Sequence, residues 1–212
     1  MMQLSLKNVT ALLIKDWKDL WKNSYIIITL ALPLMMAAWL GRDGIDGTAL
    51  ATYPITLALV IAGSFVQAAM VAEEKEKNTL RGLIMSPAST LDILIGKSAL
   101  TAVTTSAVIA GCIWLSEYKL PSFPLFLLSI LLGLIIFITI GTILGLLSRT
   151  VMETSVVGMP VLIIFGMGSF LKTILENDLL LTIIDYLPSE QLNFIWVGLA
   201  AGENLIDIWN HF

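Results

Sequence analysis

Apolar runs of about 20 residues recur along this chain, separated by short charged or turn-forming segments; that is the length a helix needs to cross the hydrocarbon core of a bilayer. Composition agrees. Of the 212 residues 57% are apolar and only 13% charged, against about 25% charged in soluble domains, and the mean hydropathy is +0.89. The chain therefore reads as an all-α polytopic membrane protein. Its one cysteine, Cys112, lies inside an apolar run, which excludes a disulfide scaffold. The one histidine, His211, stands beside the C-terminus, so histidine-based metal or general-base chemistry has almost nothing to work with. A net charge of −4 supplies no broad basic footprint for nucleic acid.

The pattern predicts a single transmembrane domain over 1–212. Segment 3–22 is broken at every turn by Lys7, Lys15, Asp16, Lys18, Asp19 and Lys22, with Leu6, Val9, Leu13, Trp17, Leu20 and Trp21 toward one side. That describes an amphipathic helix lying in the membrane interface. Five spans follow at 23–40, 50–72, 91–114, 125–147 and 155–174. The fifth carries Gly158, Pro160, Gly166 and Gly168, which loosen or kink a helix. Segment 176–212 mixes acids and Pro188 with apolar runs too short to cross, and we read it as a partly buried helical hairpin at the membrane surface.

Lysine and arginine set the orientation. With the N-terminus in the cytoplasm, Lys7, Lys15, Lys18, Lys22, Lys75, Lys77, Arg81, Lys97 and Arg149 fall inside, and Arg42, Lys119 and Lys172 outside. Trp17, Trp21 and Tyr25 then mark the inner interface, and Trp39, Tyr53, Trp114 and Tyr118 the outer one, so aromatic belts and charges agree.

The most informative stretch is the cytoplasmic loop 73–90 and the residues that follow it. A charged span terminus, Glu73 to Lys77, leads into a short helix with Leu80, Leu83 and Ile84 on one side, ended by Ser86-Pro87 and restarted at Ser89 or Thr90. Its apolar side needs a cover. Physics alone leaves two covers open, a soluble partner or the chain's own bundle.

Here the sequence resembles the permeases of ABC-2 type exporters. These carry, between their second and third spans, Glu-basic-Glu-x-(Gly or Asn)-Thr-Leu, then Leu, Ser/Thr-Pro-x-Ser and Gly-Lys. This chain has Glu74, Lys75, Glu76, Asn78, Thr79, Leu80, Leu83, Ser86, Pro87, Ser89, Gly96 and Lys97 in that order. Tyr186-Leu-Pro188 after the fifth span is similar to the outward-facing re-entrant hairpin of the family, and the sixth span that normally follows is missing from this sequence. The resemblance implies a transport subunit of the bacterial inner membrane, paired with itself or a similar permease. It implies no ATPase of the chain's own, and no Gly-x-x-x-x-Gly-Lys-Ser/Thr loop occurs. A separate ABC ATPase would bind ATP and magnesium and seat the short cytoplasmic helix in a groove. Its contact would fall on Glu74, Glu76, Thr79, Leu80, Arg81, Leu83, Ile84, Ser86 and Pro87. No cofactor is expected in this chain, and no catalytic residue.

Polar groups within spans must find a partner or a wet cavity. Ser64 and Gln67 share a face of the second span, as do Thr101, Thr104 and Thr105 of the third; Ser64, Gln67, Thr101 and Thr105, with Met159 and Met167, are candidates for a substrate path. Structural bonding is the competing reading, since threonine can bond to its own helix. Lys97 either snorkels to the inner interface, the preferred expectation, or pairs with a carboxylate such as Asp92. Gly141-x-x-x-Gly145 in the fourth span lets another helix approach, within the subunit or across a dimer.

An apolar bundle with a few hydroxyl and amide groups fits an amphipathic or hydrophobic cargo, a peptide or drug; a lipid-linked or haem-type cargo is the alternative within the family. A membrane enzyme would need a motif such as His-Glu-x-x-His or Gly-x-Ser-x-Gly, and neither is present. A secondary transporter would show an intramembrane acid or an inverted repeat, and neither is found. A structural or immunity-type membrane protein remains as the non-transporting alternative.

Overall fold

A computed structural model describes residues 6–42, 48–78, 90–118 and 122–202. Among the described residues the secondary structure is helical and no strand occurs. In chain order the elements are α1 (Leu6–Leu20), α2 (Ser24–Arg42), α3 (Thr48–Ala58), a π-helical stretch (Leu59–Val66), α4 (Gln67–Glu76), α5 (Thr90–Leu115), α6 (Phe123–Leu147), α7 (Val151–Gly166), α8 (Gly168–Ile174), α9 (Asp178–Asp185) and α10 (Pro188–Ala200).

One helix is the axis of the bundle. Helices α3 and α4 run through the π-helical stretch without a break, and Thr52–Glu76 is almost wholly buried beneath α2, α5, α6, α7 and α10. Small residues make this possible: Ala58, Ala62, Gly63, Ser64, Ala68, Ala69 and Ala72 are all buried and let neighbouring backbones approach. The facing side of α6 is small too. A Cβ built on Gly141 would stand 2.3 Å from the Ser64 carbonyl oxygen, and one on Gly145 2.6 Å from that of Ala68. The glycine pair is thus spent on packing inside one chain.

Among the described residues three helices are long and apolar enough to cross a membrane, within Thr52–Glu76, Ile95–Leu115 and Phe123–Leu147. They match the second, third and fourth predicted spans. The apolar part of α2, Ile26–Gly41, is shorter than these. The fifth predicted span is not one straight helix: α7 and α8 pass the test only together and meet at a bend of 73°. The break falls at Met167, between Gly166 and Gly168, where the backbone leaves helical geometry (φ −122°, ψ 16°). Pro160 lies inside α7 without ending it.

Two expectations change in depth. Helix α1 packs along α5, and its inward line is Leu13, Asp16 and Leu20, while Trp17 and Trp21 point outward with their rings edge-on, centroids 5.7 Å apart. The hairpin is more than a surface feature. Helix α10 lies against α3 and α6 and buries Trp196 completely in the main apolar core with Phe126, Ile130, Leu59 and Leu192. Two polar bonds fix it there: the Trp196 indole donates to Ser129 Oγ at 2.7 Å, and the Thr56 hydroxyl to Asn193 Oδ1 at 2.7 Å. A helix of this length cannot cross a bilayer, but two buried polar anchors and a core tryptophan hold it inside the bundle.

Candidate functional site

The charged end of α4 is where the chain's polar bonds converge. Glu73, Glu74, Lys75 and Glu76 each hold a different part of the bundle. Asn23, between α1 and α2, donates to Glu73 Oε2 at 3.1 Å. Lys75 donates to the carbonyls of Leu146 and Ser148, at the C-terminal end of α6, where helix carbonyls lack their own partners and a cation is favoured. Glu76 Oε2 accepts the Val151 N–H at 3.0 Å, a free amide of the first turn of α7, where a carboxylate is favoured for the same reason. That turn is further closed by the Thr150 side chain, which accepts from the Glu153 N–H, and by Glu153, which accepts from Arg149 N–H, a variant of the capping box.

Glu74 belongs to a ring of four charges. Lys15 Nζ lies 2.9 Å from Glu74 Oε1 and 3.1 Å from Asp16 Oδ1; Lys97 Nζ lies 2.8 Å from Glu74 Oε2 and 3.6 Å from Asp16 Oδ2. Signs alternate around it and the charges cancel. Asp16, Glu74 and Lys97 are buried, and Lys15 closes the ring from the solvent side. Burial lowers the Lys15 pKa, but its bond to Glu74 and the charges of Asp16 and Glu74 outweigh that and raise it to about 12. A small open cleft of about 90 Å³ beside the ring is lined by Asp19, Met70, Glu73 and Lys77 as well as the ring residues.

Lys97 therefore does not snorkel. It is 3% exposed, because carboxylates from α1 and α4 reach it before water does. Sequence reasoning missed Asp16 as its partner. The available signal was position: Asp16 stands three residues after Leu13 and four before Leu20, an acid on the inward stripe of an amphipathic helix.

Of the residues expected at the docking contact, Thr79, Leu80, Arg81, Leu83, Ile84, Ser86 and Pro87 lie outside the described residues. Glu74 is turned into the ring, and Glu76 is exposed with its carboxylate on α7. The candidate path residues divide into two groups. Ser64, Gln67, Thr101 and Thr105 are buried where the axial helix meets α5 and α6. The Gln67 amide donates to Thr142 Oγ1 at 3.0 Å and accepts from the Thr101 hydroxyl, and Ser64 bonds back to the Val60 carbonyl. Met159 and Met167 are exposed, on α7 and at its break. No single surface joins the two groups.

A family model described as an ABC-2 family transporter protein matches residues 24–212, nearly the whole bundle. The chain belongs to the ABC-2 transporter family. It is a multi-pass membrane permease, a transport subunit that works with an ABC ATPase and is not itself one. No curated protein and no solved structure gave a match. In this permease the converging bonds described above lie at the terminus of the axial helix, immediately before segment 79–87, where the sequence leads us to expect the ATPase contact.

Proposed function

We propose that this permease is the membrane subunit of an ATP-driven exporter that moves an amphipathic or hydrophobic cargo, a peptide or drug, out of the cell. The observation that carries the reading is the family match together with the place of the Glu74-Lys75-Glu76 run, at the end of the most buried helix. ATP and magnesium would be bound by the separate ATPase, which docks on 79–87 through the apolar side of Leu80, Leu83 and Ile84. The N-terminus is cytoplasmic in this reading, the protein sits in a bacterial inner membrane, and the α9–α10 hairpin faces outward.

Two copies, or this chain and a similar permease, would enclose the path. One support is α7, whose Met152, Val156, Met159 and Ile163 form an exposed apolar line at helical spacing. The second is the packing of Gly141 and Gly145 against the axial helix of the same chain, which speaks against the fourth span as the seam. Met159 and Met167 are then the path candidates free to meet cargo or a second permease, whereas Gln67 and Thr101 bond the helices to one another and Ser64 and Thr105 are buried beside them.

Stimulation of ATP hydrolysis, measured on the permease–ATPase complex in nanodiscs against a panel of cargoes, tests the reading. Amphipathic peptides or drugs should raise turnover. Stimulation by lipid-linked or haem-type compounds alone would replace the cargo class, and no response to any of them would favour a non-transporting role.

A further inference from the structure

Four consecutive charged side chains, Glu73 to Glu76, are all engaged within the chain, on the α1–α2 junction, α1 with α5, the end of α6 and the start of α7. Charges at a solvated helix end do not need such partners, since water screens them. Here three of the ring's four members are buried, and each pairs with two groups of opposite sign. The ring also has a distinctive position: Glu74 stands where the chain leaves the axial helix toward segment 79–89, and Lys97 stands in α5, by which the chain returns.

We propose that the Glu73–Glu76 run is an internal linkage rather than part of the ATPase contact, with Glu74 and Lys97 as positioning residues that clamp both limbs of the cytoplasmic segment to α1. A push on the segment then displaces α1, α4 and α5 as one body. The same run carries that displacement to α6 through Lys75 and to α7 through Glu76. This rests on the docking of an ATPase at 79–87, but the clamp itself is a property of this chain.

The test uses the full chain in nanodiscs, with Cys112→Ser and spin labels at the exposed positions Lys18 on α1 and Lys77 after α4. The unaltered ring should give one narrow distance. Lys97→Met should lose it and Lys97→Arg should keep it; Asp16→Asn, which removes the ring's one acid on α1 and leaves Lys15 in place, should lose it as well and serves where Lys97→Met does not fold. Because each charge has two opposite neighbours, combining Glu74→Lys with Lys97→Glu places like charges beside Lys15 and Asp16, and the narrow distance should not return. Recovery in that double variant would show an isolated pair, and an unchanged distance in Lys97→Met and Asp16→Asn would show no clamp; either overturns the proposal.

Association with the ATPase supplies the second readout. Lys97→Met should retain the partner yet lose cargo-stimulated hydrolysis, which a merely structural lysine would not separate. Loss of the partner as complete as that caused by Leu83→Asp would place the run in the contact and overturn the proposal. Failure of the docking reading has its own signature, retention of the partner by Leu83→Asp, and leaves the distance measurement standing.

Discussion

Gln67 shows how a buried amide is satisfied without any cavity. Its two bonds go to hydroxyls that each have a second option, since Thr101 also reaches the Lys97 carbonyl at 3.3 Å and Thr142 the Ile138 carbonyl at 2.9 Å. Gln67→Leu should therefore cost about 1 kcal/mol, the net worth of a typical hydrogen bond, rather than the larger penalty of two stranded groups. A small fall in Tm with cargo stimulation of the ATPase intact is the expected result. Unchanged stability with stimulation abolished would put Gln67 in the path. That Gln67 would need partners was legible in the sequence, because an amide inside an apolar run has few local options. Which partners was not, for Thr142 lies 75 residues away. The same limit hid the ring: Lys15 and Glu74 are separated by 59 residues, and only the packing of α1 along α5 brings them together.

Among the elements, α6 is the one whose sequence pattern had two competing readings. Gly141 and Gly145 suit a dimer seam as well as a contact within the chain, and periodicity cannot separate the two. The axial backbone decides it, since a Cβ added at either position would stand only 2.3 or 2.6 Å from one of its carbonyl oxygens. Gly141→Val would force the Ser64 backbone away from α6, and overpacking of this kind costs about 1–3 kcal/mol. Thermal unfolding of the single permease in detergent should show that loss, whereas a seam glycine would leave it unchanged and weaken only self-association. The other elements were legible in proportion to their apolar length. The second, third and fourth spans follow from long uninterrupted runs. The break in the fifth follows from Gly166 and Gly168, but its 73° angle and the π-helical stretch have no sequence signature. The burial of α10 was understated because its run is short, and what draws it inward is a pair of polar bonds to Ser129 and Thr56 from distant helices.

Ion pairs and polar bonds place Lys15, Lys75, Lys77 and Lys97 at one end of the bundle together with the start of α7, and two separate ion pairs join Lys172 to Asp185 and Glu190 of the hairpin. The asymmetry of lysine and arginine predicts that the first of these ends is cytoplasmic. In a Cys112→Ser background a thiol introduced by Asp43→Cys should react with an impermeant reagent from outside only; reaction from the cytoplasm alone would invert the topology.

In the proposed function a separate ATPase drives this permease through the segment after α4. Leu83 is the apolar centre of the contact expected from the sequence, and burying one leucine contributes about 1.5–3 kcal/mol. Leu83→Asp removes that contribution and strands a charge. Pull-down of the ATPase subunit with Leu83→Asp, beside the unaltered permease, is the most direct measurement. The variant should insert in the membrane as before and retain little or none of the ATPase. An undiminished yield would mean that the ATPase does not dock on Leu83 and that segment 79–87 is covered by the chain's own bundle.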